Sequence, residues 1–276
     1  MICRKMILSG LVMLVGFSSL IAQVAISPTS AFLDSRQRFE TILILNNSDE
    51  PQEVKLEFKF AYPKANEEGN IGLIYDDAKE AELHSATPWL RGFPKNFVLG
   101  PGKRQVVRIT AKPPRDIDPG MYWSRLITTS SAVSPDIGED GKAGISAQIT
   151  MQFNQITSIF YKTGELSTGI ELTAVRPSFE DNLVKVLVDY TKSGNAPYLG
   201  TMYAKIFDAS GAMILEKKMF VSIYYDGLRL LKVEAGDLPA GNYEVELTAT
   251  SGRSDIPGND VVPAEPQTLR GSFTKS

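Results

Sequence analysis

Apolar and polar side chains alternate along most of the chain with a period of two, the repeat of a strand that buries one face and wets the other. Residues 54–60 show it plainly: Val54, Leu56, Phe58 and Phe60 fall on one face, and Lys55, Glu57 and Lys59 on the other. Stretches that alternate, or are rich in β-branched and aromatic residues, predict strands over 24–32, 39–45, 54–60, 89–99, 105–111, 121–129 and 145–161. The second half predicts strands over 170–175, 183–190, 200–207, 213–221, 228–233 and 243–250, with 269–273 returning as an edge strand. Turn chemistry separates them, as in Asn46-Asn47-Ser48-Asp49-Glu50-Pro51, Gly100-Pro101-Gly102, Asp118-Pro119-Gly120 and Asp208-Ala209-Ser210-Gly211. A polar excursion over 63–86 and a Ser-, Gly- and Asp-rich stretch over 130–144, read as a mobile loop, interrupt the pattern, and no amphipathic helix is expected. The expected fold is all-β: two immunoglobulin-like β-sandwiches in series, over 23–163 and 164–276, meeting at Lys162-Thr163-Gly164-Glu165. Neither carries the cysteine pair of antibody domains.

Residues 1–22 are expected to lie outside the fold. A cationic start with Arg4 and Lys5, an apolar run over 7–20 and the small residue Ala22 describe a signal peptide cleaved after Ala22, with an uncleaved N-terminal anchor as the alternative. Cys3 precedes the apolar run, which is the wrong place for a lipid-modified cysteine, and cleavage removes the only Cys. The exported chain then has no disulfide, thiolate metal site or cysteine nucleophile. No later segment offers about 18 consecutive apolar residues, so a soluble periplasmic protein is expected, with the cell surface as a second location.

Composition narrows the function. The 276 residues, 43% hydrophobic and 22% charged, suit two globular domains. With 29 Lys and Arg against 32 Asp and Glu, the formal charge of −3 falls to about −5 once Arg4 and Lys5 are removed, which argues against nucleic acid as the main partner. His84 is the only histidine and reads as a solvated residue of the polar excursion; a zinc site needs more His or Cys ligands. Glu67-Glu68 and Asp76-Asp77 lack the spacing of a calcium loop, and no nucleophile elbow or phosphate-binding glycine loop is present. Carboxylates far apart in the chain are the one hydrolytic arrangement that spacing leaves open. The expectation is a protein that is not an enzyme and has no cofactor and no metal. Trp89 and Trp123 read as packing residues, and Asn46-Asn47-Ser48 as turn chemistry rather than a glycosylation triplet.

One segment stands out. In Ile145-Ser146-Ala147-Gln148-Ile149-Thr150-Met151-Gln152-Phe153 five successive apolar residues alternate with four polar ones, so Ile145, Ala147, Ile149, Met151 and Phe153 form one apolar ridge. Alternation leaves open whether the ridge feeds its own core or is offered to another chain, and the adjoining 130–144 stretch favours an edge position.

The order of features in the first half resembles the PapD-like periplasmic chaperones of the chaperone/usher pilus pathway. The likeness rests on the opening strand Val24-Ala25-Ile26-Ser27-Pro28-Thr29-Ser30-Ala31-Phe32-Leu33-Asp34, the block Phe97-Val98-Leu99-Gly100-Pro101-Gly102-Lys103-Arg104-Gln105-Val106-Val107-Arg108-Ile109, the block Asp118-Pro119-Gly120-Met121-Tyr122-Trp123-Ser124-Arg125-Leu126, and the long strand that ends in Ile159-Phe160-Tyr161-Lys162. It covers about residues 24–162, and no motif of the second half carries it. The resemblance implies an ATP-independent chaperone whose long strand completes a pilin-like subunit, with Ile149, Met151 and Phe153 at the donated positions and an outer-membrane usher as a further partner. It also implies an Arg and a Lys that grip the subunit's terminal carboxylate, where this chain has Ser30 and Ser158. Arg108 matches the family's Arg in its block and is the candidate supporting cation, while Lys162 serves only if the register shifts. The competing expectation is a non-catalytic immunoglobulin-like binding module of the periplasm or surface that has lost subunit capture.

Overall fold

The computed structural model describes residues 24–133 and 151–276. The first half comprises β1 (Val24–Ser27), β2 (Ser30–Asp34), β3 (Phe39–Asn46), β4 (Gln52–Lys59), β5 (Tyr62–Ala65), β6 (Ile71–Ile74), β7 (Leu90–Phe93), β8 (Asn96–Leu99), β9 (Arg104–Ala111), β10 (Gly120–Ala132) and β11 (Gln152–Thr163). The second comprises β12 (Gly169–Glu180), β13 (Leu183–Ser193), β14 (Tyr198–Phe207), β15 (Met213–Ile223), β16 (Gly227–Glu234), β17 (Gly241–Ser251) and β18 (Gln267–Lys275). The expected signal peptide, residues 134–144 of the expected loop, and Ile145, Ala147 and Ile149 of the ridge lie outside the described residues.

Each half folds as a sandwich because alternation gives its strands one apolar face to bury. Sheet β1-β3-β9-β7 packs on sheet β2-β11-β10-β4-β8, and sheet β12-β13-β16 on sheet β15-β14-β17-β18. In the first sandwich Ile42, Ile44, Val54, Leu56, Val107, Ile109, Leu126 and Ile159 are sealed from solvent. Burying each such side chain contributes about 1.5–3 kcal/mol. In the second, Val184, Val186, Val188, Ile206, Val245 and Leu247 play the same part. Asn46 closes one turn from inside: its fully buried amide donates to Glu50 O at 2.8 Å and Leu99 O at 2.9 Å, and its oxygen accepts from Ser48.

Two expected strands are split by proline. Residues 24–32 become β1 and β2, which belong to different sheets, and 89–99 become β7 and β8, again in different sheets. Pro28 and Pro94 stand in the breaks, where a residue without an N–H cannot continue a ladder. The polar excursion holds more order than alternation reveals. It contains the β5–β6 hairpin and a short helix, α1 (Ala78–His84), a correction to the expectation that no helix forms. Asp77 caps α1 by accepting from Glu80 N at 3.1 Å, and it also accepts from the Tyr62 hydroxyl at 2.7 Å.

A third apolar cluster joins the sandwiches. Phe32, Phe60, Tyr62, Met121, Trp123 and Phe160 of the first half meet Ala196, Leu199, Tyr224 and Ile256 of the second. The face of the β2-β11-β10-β4-β8 sheet that points away from its own core is thus covered at one end. The tip of the β5–β6 hairpin adds a backbone tie, Leu230 N to Gly69 O at 3.1 Å. Gly69 has φ +79°, and a Cβ there would come within 2.8 Å of Leu230 N, so the contact requires glycine. The connection between β11 and β12, where the boundary is expected, is held by Asn195. Its amide donates to Pro119 O and Glu165 O at 3.0 Å each, and its oxygen accepts from Ser167 N at 2.9 Å. Replacing Asn195 by Ala removes these bonds from an exposed site, where water re-solvates the freed groups. Urea unfolding is expected to show a loss of about 1–2 kcal/mol with both sandwiches still folded.

Candidate functional site

Strand β11 has a neighbour along its whole length on one side and along only part of it on the other. On β10 it runs antiparallel from Gln152 opposite Ser131 to Thr163 opposite Gly120. On the opposite edge β2 runs parallel to it, but only from Ser158 opposite Ser30 to Lys162 opposite Asp34. The last tie is Ser158 N to Thr29 O at 3.0 Å. Among the described residues nothing pairs with that edge over 152–157. Every second residue of an antiparallel strand turns its N–H and C=O away from the neighbour it pairs with, so along this stretch backbone donors and acceptors face away from β10 with no partner among the described residues.

Apolar side chains accompany the open edge. Met151 is 62% exposed, Phe153 37% and Ile156 38%. Phe153 shares its face with Ile159 and Tyr161, both of which enter the first sandwich's core, so the row continues the core face into solvent. Ile156 lies on the other face. Soluble monomers seldom leave neighbouring large apolar side chains in water along an unpaired edge. Of the five predicted ridge residues the structure places Met151 and Phe153 here; Ile145, Ala147 and Ile149 are outside the described residues.

Ser30 and Ser158 are direct partners in the β2–β11 register, both half-buried, at the point where the open edge ends. Arg108 is elsewhere. It lies on the outer face of the other sheet, opposite Thr41 and Phe93, with its guanidinium 4.0 Å from the centre of the Phe39 ring. Lys162 is bound to Asp260 at 2.7 Å. Two cations stand in the serine row: Arg125, opposite Ser158 on β10 and 3% exposed, and next to it the exposed Lys59 on β4. The sequence held a signal for the buried one: Arg125 is a charged residue between Trp123 and Ile127 on one face of an apolar strand.

His84 also differs from expectation. It ends α1 and stacks on Trp123, ring centres 4.8 Å apart, with Nε2 3.6 Å from the Glu80 carboxylate. Glu80 accepts from the Tyr225 hydroxyl at 2.6 Å, so the histidine belongs to the joint between sandwiches and not to a solvated loop. A cleft of about 390 Å³ lies beside it, lined by Trp123, Lys192, Asn195, Tyr224 and Tyr225. Among the described residues no group of three or more His, Cys, Asp or Glu side chains is placed to hold a metal ion, and no helix is long and apolar enough to cross a membrane.

No family model matches the chain, and no curated protein matches it. Among solved structures it is similar to the YadV chaperone, at 11% identity over 90% of this chain and 100% of that one, with a TM-score of 0.47. It is similar to a Salmonella enterica SafA pilin in complex with the SafB chaperone, at 12% identity over 91% of this chain and 98% of that one, TM-score 0.43. It is also similar to the CsuC–CsuE chaperone–tip adhesion subunit complex from archaic chaperone-usher pili of Acinetobacter baumannii, at 9% identity over 90% and 98%, TM-score 0.44.

Burial holds the His84 imidazole below its ordinary pKa, outweighing the opposing pull of Glu80. The unfolded chain therefore takes up a proton near pH 6.5 while the folded chain resists it until lower pH. Stability is expected to be level above about pH 7 and to fall as pH drops from about 6.5 towards the folded value. Urea midpoints between pH 7.5 and 5.5 should show this fall, and His84→Gln should flatten it.

Proposed function

We propose that this protein is a periplasmic, ATP-independent chaperone for exported β-rich subunits such as pilins, and that it acts by lending the open half of β11 to a subunit that lacks a strand. An incomplete sandwich exposes unpaired backbone and an apolar groove; an added strand supplies hydrogen bonds along its edge and side chains at alternate positions. The observation that carries this reading is the 152–157 edge, which has no partner among the described residues, with Phe153 and Ile156 exposed on it and Met151 exposed just before it. The sequence resemblance to PapD-like chaperones supports it, because the donated positions it implies include Met151 and Phe153. No nucleotide motif supplies energy, so release proceeds by exchange with another strand, and an usher would be the site of that exchange.

Co-purification of the tagged protein from its native envelope, followed by mass spectrometry, tests the reading. A small β-rich subunit is expected with the unaltered chain and is expected to vanish with Met151→Asp, whose unfolding free energy in urea should stay within about 0.5 kcal/mol of the parent because the side chain is already exposed. Ile159→Asp, in the same strand but fully buried, should cost about 3 kcal/mol or more. A bound subunit indifferent to Met151→Asp would instead favour a binding module that uses another surface.

A further inference from the structure

The face of β11 that turns into the first sandwich reads Phe153, Gln155, Thr157, Ile159 and Tyr161. Ile159 and Tyr161 belong to the core, Thr157 is buried, and Phe153 stands exposed at the other end. Gln155 sets a carboxamide into this row, next to Phe153 and within the open edge. The residue is half-buried, and its Oε1 is buried without a hydrogen-bond partner among the described residues. Its direct partner across the ladder is Thr128 of β10, which is fully buried and whose hydroxyl is unpartnered too. Ser130, opposite Phe153, repeats the pattern. Buried polar atoms are almost always paired, so three unpaired ones on one patch of a sheet require a cause. Thr128 and Ser130 lie between β11 and β4, out of reach of any added chain. Gln155 is on the strand that an added chain would touch.

A strand laid along 152–157 sets one of its own residues beside Gln155 on the same face and removes water from the part of Gln155 that is still wet. The interior supplies nothing in exchange, because Oε1 has no partner there. An aliphatic residue in the added strand would therefore leave the carboxamide dry and unpaired, which is costly, whereas a hydroxyl or amide side chain would pair with it. We propose that Gln155 selects the subunit and its register: it admits a strand whose neighbouring residue carries a hydroxyl or carboxamide and disfavours one that is aliphatic there. The proposal rests on the strand-lending reading above. Met151 and Phe153 grip any apolar groove, and a slip of two residues keeps every side chain on its own face. Such a slip does change which residue lies beside Gln155. One polar position in an apolar row is thus what tells one register from the next, as a single buried amide does in paired helices.

The test uses the exported full chain and dye-labelled synthetic peptides in which valine alternates with lysine, read by fluorescence anisotropy. One peptide has valine at every inward position, and in each of the others a single valine becomes threonine, which has the same shape and one hydroxyl. With the unaltered protein at least one threonine peptide is expected to bind about fivefold more tightly than the all-valine peptide, the scale of one hydrogen bond gained. Gln155→Met keeps the length of the side chain and removes its polar end, so it should reverse the order and make the all-valine peptide the tightest, in a protein whose circular dichroism is unaltered. Gln152→Met, on the other face of the same strand, should leave the order as it was. Met151→Asp should weaken all the peptides alike. Binding of the all-valine peptide with no threonine peptide above it, or an order that survives Gln155→Met, would overturn selection by Gln155 while leaving strand addition intact. Failure of every peptide to bind would remove strand addition and this inference with it.

Discussion

Among the described residues, half of β11 has a strand on only one side, and an open strand edge in water is a liability that a fold either covers or uses. The cause lies in β2, which pairs with β11 from Ser158 onward and no earlier. Because Pro28 interrupts the first strand, its opening residues pair with β3 in the other sheet, and only the segment after it reaches β11. Among the described residues the N-terminal half of β11 thereby has no partner on that edge, and Met151, Phe153 and Ile156 are exposed.

The second sandwich sits against the same sheet, on the face away from the first core. Aromatic rings fill the joint: Phe32 stacks on Phe160 at 4.9 Å, Trp123 meets Tyr224 edge-on at 4.8 Å, and Tyr62 meets Tyr225 at 4.8 Å. Rings of this size remove much area from water, and their packing fixes the orientation of the polar groups at the rim. Arg125 and Tyr224 are such groups, one from each sandwich. The joint so positions a cation at the end of the open edge.

Much of the fold was legible because alternation is strong. Residues 54–59 show it as Val54, Leu56 and Phe58 facing inward and Lys55, Glu57 and Lys59 outward, which reads correctly as β4; Phe60, expected on the same face as Val54, instead lies past the end of β4 in the cluster that joins the sandwiches. The same rule run through Pro28 and Pro94 merges strands that lie in different sheets, since a hydrophobic pattern does not record which sheet a strand joins. The helix α1 escaped because seven residues are too few for a period of 3.6 to show, although Asp77 followed three residues later by Glu80 is a capping signal. At the site, Met151 and Phe153 were readable from alternation. Arg125 was not singled out: a charge between Trp123 and Ile127 is a signal, but its burial against Tyr224, 99 residues away in sequence, is not readable from the strand. Arg108 was singled out on the motif it stands in, but the strand that carries it belongs to the other sheet. His84 was read as solvated because nothing in its local sequence announces Trp123 as its neighbour.

Amide hydrogen exchange over 152–157, measured on the protein alone and on the complex isolated from its native envelope, tests strand addition most directly. The amides on the open side of β11 should exchange fast in the free protein and become protected in the complex, while those already bonded to β10 change little. Protection appearing elsewhere on the molecule, with the 152–157 amides unchanged, would contradict the account.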